Sequence, residues 1–116
     1  MEIEKIHQGD KTILNITGRV DTKTAPEFQK TIDDALDNNE IVLELNFKDV
    51  EYLSSAGLRA ILYAQKKVNT IQDSSFAITQ VNEDVMEVFN MTGFSDFLTI
   101  VAQWNIFMAN LIVYVL

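Results

Sequence analysis

Residues 53–59 read LSSAGLR, so two hydroxyls and a glycine stand where an apolar run gives way to helical spacing. Three chemistries use such residues at such a junction. Ser54 or Ser55 could cap the helix, with Gly57 allowing a tight turn or close packing. One serine could be a nucleophile, which needs a base within reach. One could accept a phosphate, because a helix N-terminus presents free N–H groups and positive dipole.

The nucleophile is the weakest of these. His7 is the only histidine and lies on an apparent edge strand far away in sequence. SSAGLR is not a G-x-S-x-G elbow, and the chain has no G-x-x-x-x-G-K-[ST] phosphate loop. Lys11, Lys66 and Lys67 read as solvated charges. No cysteine is present, which excludes disulfides and thiolate metal sites, and one histidine cannot make a cluster. A phosphate would add about −1.5 to −2 charges. With Asp21, Asp49 and Glu51 as candidates for the same surface, that charge would act mainly on a partner, by repulsion and desolvation.

The elements that must position the serines follow from periodicity. EIEKIHQ alternates and ends at a GD turn. TILNITGRV alternates again, with Ile13, Asn15 and Thr17 on one face and Leu14 and Ile16 on the other. DTKTAPEFQKTIDDALDNN shifts to helical spacing, with Phe28, Ile32, Ala35 and Leu36 in one stripe. Thr24 reads as its N-cap, Pro26 suits the first turn, and Glu27 completes a capping-box pattern. EIVLELNF reads as a central strand buried on both faces, and KDVEYLSS as the connection after it. AGLRAILYAQKKVNTIQ is helical, with Leu58, Ile61, Leu62 and Val68 inward. SFAITQV is a strand. NEDVMEVFNMTGF is a helix capped by Asn82, carrying acids in its first turn and ending at Gly93. FLTIV is the last strand. The order ββαβαβαβ predicts an α/β domain with a mixed sheet.

The 116 residues suit one domain with its own core, and 47% hydrophobic content argues against disorder. A formal charge of −8 opposes binding to nucleic acid or to anionic lipid. MEIEKIHQGD lacks the apolar stretch of a secretory signal, so a cytoplasmic location is expected.

DVEYLSSAGLRAIL resembles the signature of the STAS domain, in particular that of the bacterial anti-sigma factor antagonists. GRVDTKTAPEF resembles that family's strand-to-helix segment, with Asp21 at its acidic position. VMEVFNMTGFSDFLTI resembles its last helix, loop and strand. The resemblance spans residues 2–101 and implies a STAS-type mixed sheet with helices mainly on one face. It implies that Ser55 is the phosphoacceptor, with Ser54, which stands where many relatives carry Asp, as the alternative. Asn46 and Lys48 stand where relatives often carry Asp and Ser, which makes the surroundings less acidic.

The resemblance further implies partner switching. The unmodified protein binds an anti-sigma factor that is also a serine kinase, phosphorylation releases it, and a serine phosphatase restores it. ATP and metal belong to the kinase, so the resemblance implies a chain that needs no cofactor and is not an enzyme. Asp21, Thr24, Asp49, Glu51, Ser54, Ser55, Gly57 and Leu58 are the implied partner-binding residues. The alternative is a STAS module of a lipid-transport subunit or signalling scaffold, without a phospho-switch.

The segment after the domain departs from the family. AQWNIFMANLIVYVL, residues 102–116, carries no charged side chain. It is too short to follow a strand and still span a bilayer. Packing on the domain or on a second copy is the expectation, with self-association through residues 102–116.

Overall fold

The computed structural model describes residues 1–96 and 98–102. The expectations for the apolar segment therefore lie outside the described residues from position 103 on. The chain forms β1 (Glu2–Gln8), β2 (Lys11–Val20), α1 (Ala25–Asp37), β3 (Val42–Leu53), α2 (Ser55–Val68), β4 (Ser75–Val81), α3 (Glu83–Thr92), a 3-10 turn (Phe94–Asp96) and β5 (Ile100–Ala102). The strands lie in one sheet in the order β1-β2-β3-β4-β5. β1 is antiparallel to β2, and every later pair is parallel.

This order explains the layering. Each parallel step moves one place in the same direction, and right-handed crossovers then put every connecting helix on the same face. The core accordingly joins one face of the sheet to the helices. Leu14, Ile16, Leu43, Leu45, Phe47, Phe76 and Ile78 pack with Phe28 and Ile32 of α1, Leu58 and Ile61 of α2, and Phe89 of α3. Phe28 and Phe47 meet as tilted rings 6.3 Å apart.

Several sequence expectations are corrected here. β3 is not buried on both faces: Leu43, Leu45 and Phe47 are buried, while Val42, Glu44 and Asn46 between them are only half-buried. The outer face carries polar contacts instead, with Glu44 taking a bond from Lys11 at 3.0 Å and one from Thr79 at 2.9 Å. KDVEYL is strand rather than connection. Between Asn15/Asn46 and Arg19/Tyr52 the register slips twice, so β3 carries two extra residues against β2. The bulges change the spacing of buried residues from two to three, giving Phe47, Val50 and Leu53. That spacing hides the strand from an alternation test.

On α2 the inward residues are Leu58, Ile61, Ala64 and Val68, while Leu62 is half-buried. The last strand starts at Ile100 rather than Phe97, and position 97 lies outside the described residues. Lys11 and Lys67 are not free charges: Lys11 pairs with Glu44 at 3.0 Å, and Lys67 with Asp37 at 2.8 Å.

Candidate functional site

The serines sit at the C-terminal ends of the parallel strands, where β3 turns into α2. The Ser54 amide donates to the Val20 carbonyl at 2.9 Å, which ties the start of α2 to the end of β2. Ser54 is extended (φ −87°, ψ 170°) and is the N-cap, its hydroxyl accepting from the Gly57 amide at 3.3 Å. The neighbouring Ser55 opens the helix, is exposed, and has no side-chain partner among the described residues. One hydroxyl is spent on structure and the other faces solvent. No acidic residue occupies the first turn of α2, so its positive end is left uncompensated.

Gly57 is needed for close approach, and its φ is not in the left-handed region. A Cβ there would lie 2.6 Å from Leu53 Cδ1, 2.8 Å from Val20 Cγ1 and 3.3 Å from the Val20 carbonyl oxygen. Helix and strand ends meet backbone to side chain at this point. Leu58 beside it is 4% exposed. In the free chain Gly57 and Leu58 are thus buried, as support beneath the surface.

The entry to α1 lies alongside, and its capping differs from the expected capping box. Thr24 precedes the helix in a helical conformation, and its side chain makes no cap bond to α1. It donates instead to the Arg19 carbonyl at 2.8 Å and accepts from the Asp21 amide at 2.9 Å. Asp21 takes the capping part: its Oδ1 accepts from the amides of Lys23 and Thr24 at 3.0 and 3.1 Å. The Thr24 amide holds the Asp21 carboxyl below its ordinary value; desolvation opposes it, and the Lys23 amide, the Thr24 hydroxyl and the Arg19 charge add to the lowering.

Of the remaining acids, Glu51 and Asp49 are exposed, but on β3 itself and not on a loop. Asp49 lines a recess of about 580 Å³ with Glu2, Glu4, Asn15, Thr17 and Asn46, which neither serine lines. Sequence reasoning missed an exposed pair close by: the Arg19 guanidinium lies 4.3 Å from the centre of the Tyr52 ring, and Tyr52 is 42% exposed. Arg19 and Tyr52 are register partners only because of the second bulge.

His7 is paired with Thr12 at the start of β2, with its Nδ1 3.4 Å from Thr12 Oγ1 and its Nε2 3.6 Å from Glu40. The eight residues of strand from Thr12 to Val20 put it roughly 25 Å from the serine end. It cannot act as a base for Ser55. Among the described residues, no group of three or more His, Cys, Asp or Glu is placed to hold a metal ion. No helix among them is long and apolar enough to cross a membrane.

A family described as the STAS domain matches residues 2–108. The chain belongs to the STAS domain family. Among curated relatives, this STAS chain is 29% identical over 90 residues to the anti-sigma-B factor antagonist of Bacillus subtilis, covering 78% of this chain and 81% of the relative. It is 27% identical over 91 residues to the protein of that name from Listeria monocytogenes, covering 78% and 79%. An anti-sigma factor antagonist from Mycobacterium paratuberculosis superposes with a TM-score of 0.79 at 17% identity, over 86% of this chain and 84% of that one. The unphosphorylated anti-sigma factor antagonist SpoIIAA superposes with a TM-score of 0.68 at 12% identity, over 97% and 98%. At these identities the structural likeness carries the fold alone. The mixed five-stranded sheet with three helices is the STAS fold.

Proposed function

We propose that this STAS domain is an anti-sigma factor antagonist that works as a phospho-switch at Ser55. Unmodified, it binds an anti-sigma factor that is also a serine kinase. Phosphorylation of Ser55 releases it, and a serine phosphatase restores it. It would act in the cytoplasm, regulating transcription through the freed sigma factor, with no cofactor and no catalysis of its own.

The observation that carries this reading is the division of labour between the two serines. Ser54 Oγ is held by the Gly57 amide, whereas Ser55 Oγ faces solvent. A kinase can reach Ser55 without undoing the cap. The names of the curated relatives support the partner class.

The physics of release follows from charge. A phosphate placed on an exposed helix-starting residue disturbs no buried contact, so the fold tolerates it. A partner seated over Ser55 would have to desolvate about two negative charges or withdraw. Glu51 nearby on β3 and the overall charge of −8 add to the repulsion of any acidic partner surface. Arg19, Tyr52 and Ser55 are among the exposed groups of this end that a partner would read.

Reaction with an anti-sigma-type serine kinase and ATP, followed by phosphopeptide mapping, tests the assignment. Label on Ser55 is expected. Label only on Ser54, or none, would overturn it.

A further inference from the structure

We infer that residues 103–116 lie across the open face of their own sheet and supply the layer that the helices leave out. The inference is independent of the phospho-switch.

The first observation behind it is which face is open. The helices α1, α2 and α3 pack on the face that carries Leu14, Leu45 and Ile78. Side chains that alternate with these point the other way, where the described residues place no second layer. Yet β2 to β5 are mutually parallel, and parallel strands occur almost always with both faces covered.

The second observation is an apolar row on that open face. Register pairs Ile6 with Ile13, Ile13 with Glu44 and Glu44 with Ala77. These four therefore stand in line at right angles to the strands. Ile6, at the β1 edge, is 39% exposed. Glu44, the acid in the row, already takes bonds from Lys11 at 3.0 Å and Thr79 at 2.9 Å, so a cover would strand no free carboxylate. At the β5 edge Val101 is 38% exposed and faces away from the core-packed Ile100 beside it. One row along from Ile13, Asn15 Oδ1 is buried with no hydrogen-bond partner among the described residues. A buried acceptor in that state costs free energy until a donor reaches it.

The third observation is the chain that follows Ala102. Residues 103–116 carry no charged side chain, and Gln103, Asn105 and Asn110 place amide donors among apolar residues. From β5 to β1 is four strand spacings, about 19 Å. The fourteen residues 103–116 would span about 21 Å even as an α-helix, and more in any extended form, so they reach the far edge.

Charge and tethering select this occupant. At the β1 end Glu2, Glu4 and Asp49 line one recess with Asn15. A second copy of the same face would bring like charges together there, whereas an uncharged segment brings none. Ala102 anchors the segment at the β5 edge, which gives it a local concentration that the segment of a second copy lacks. A cover on this face leaves Ser55 and the start of α2 open, because they belong to the helix layer.

The test uses the full chain and paramagnetic broadening in methyl NMR. The chain has no cysteine, so Asn105→Cys or Asn110→Cys carries a nitroxide at one site only. From either site the methyl signals of Ile13 and Ala77, on the open face, should weaken several-fold more than those of Thr31 on α1 and Leu62 on α2. The two sites together guard against one label displacing the segment. Isotope-labelled parent chain mixed with nitroxide-bearing chain at natural abundance should stay sharp throughout. Broadening in that mixture would place the segment on a second copy and overturn the proposal. Loss at Thr31 and Leu62 in place of Ile13 and Ala77, or no loss from either site, would overturn it as well.

Discussion

Gly57 and Val20 meet with no room for a methyl group between them, since a Cβ on Gly57 would fall 2.8 Å from Val20 Cγ1. Leu53 Cδ1 would be nearer still, at 2.6 Å, but it is the end of a flexible side chain and can turn aside. Val20 is fully buried and stiff, and its carbonyl at 3.3 Å already accepts the Ser54 amide. Overpacking of this kind costs about 1–3 kcal/mol. Replacing glycine by alanine within a helix returns up to about 1 kcal/mol. Gly57→Ala is therefore expected to lose about 1–2 kcal/mol, read as a lower urea midpoint at unchanged slope. A neutral or stabilising result would show that α2 can slide away from β2.

The two serines separate in the same measurement. Ser54→Ala removes the hydroxyl that the Gly57 amide uses and should cost about 1 kcal/mol. Ser54→Asp should hold stability, because a carboxylate caps as well. Ser55→Ala should stay within about 0.5 kcal/mol of the parent, since nothing in the fold depends on its hydroxyl. Equal losses at both positions would contradict the cap assignment.

The parts of this site that were legible in the sequence are those set by local rules. Alternation in β2 correctly sorted Leu14 and Ile16 from Ile13 and Asn15. Asn82 does cap α3, accepting from the Val85 amide at 2.9 Å, and Gly93 ends it at φ 76°. What failed depended on pairing between strands. The bulges of β3 gave KDVEYL a period of three, which no isolated strand shows. They also created the Arg19–Tyr52 contact, which is invisible until the register is known. At α1, Asp21 and Thr24 both suit a cap by type, and only the turn geometry gave the amides to Asp21.

Asp21 makes a pH prediction whose sign is fixed by its bonds. Its carboxylate accepts from the Thr24 and Lys23 amides, so its pKa lies below the ordinary 3.8 in the folded chain. A depressed folded pKa contributes stability above the unfolded value, and that contribution is lost as pH falls through the folded one. Carboxyl NMR should therefore find the Asp21 midpoint below 3.8. Asp21→Asn, which keeps an acceptor oxygen but cannot titrate, should show a shallower loss of stability in that acid range. A midpoint at or above the ordinary value would mean that the amides do not hold the charge.

The proposed switch predicts opposite behaviour from two substitutions that leave the fold intact. Ser55→Ala removes only a solvent-facing hydroxyl and should keep affinity for an anti-sigma kinase. Ser55→Asp adds a charge where a partner would have to bury it. A carboxylate carries about half the charge of a phosphate and lacks its third oxygen, so its effect should be smaller than that of true phosphorylation. A loss of about tenfold or more, which is about 1.4 kcal/mol, is expected for Ser55→Asp, and a larger loss for phosphoserine. Both variants should unfold within about 0.5 kcal/mol of the parent, and an acid at this position gains slightly from the dipole of α2. Any binding loss then belongs to the interface. Titration calorimetry of the four forms against the kinase reads the order directly. Equal affinity across all four would mean that position 55 lies outside the contact, and the division of labour between Ser54 and Ser55 would then serve the helix alone.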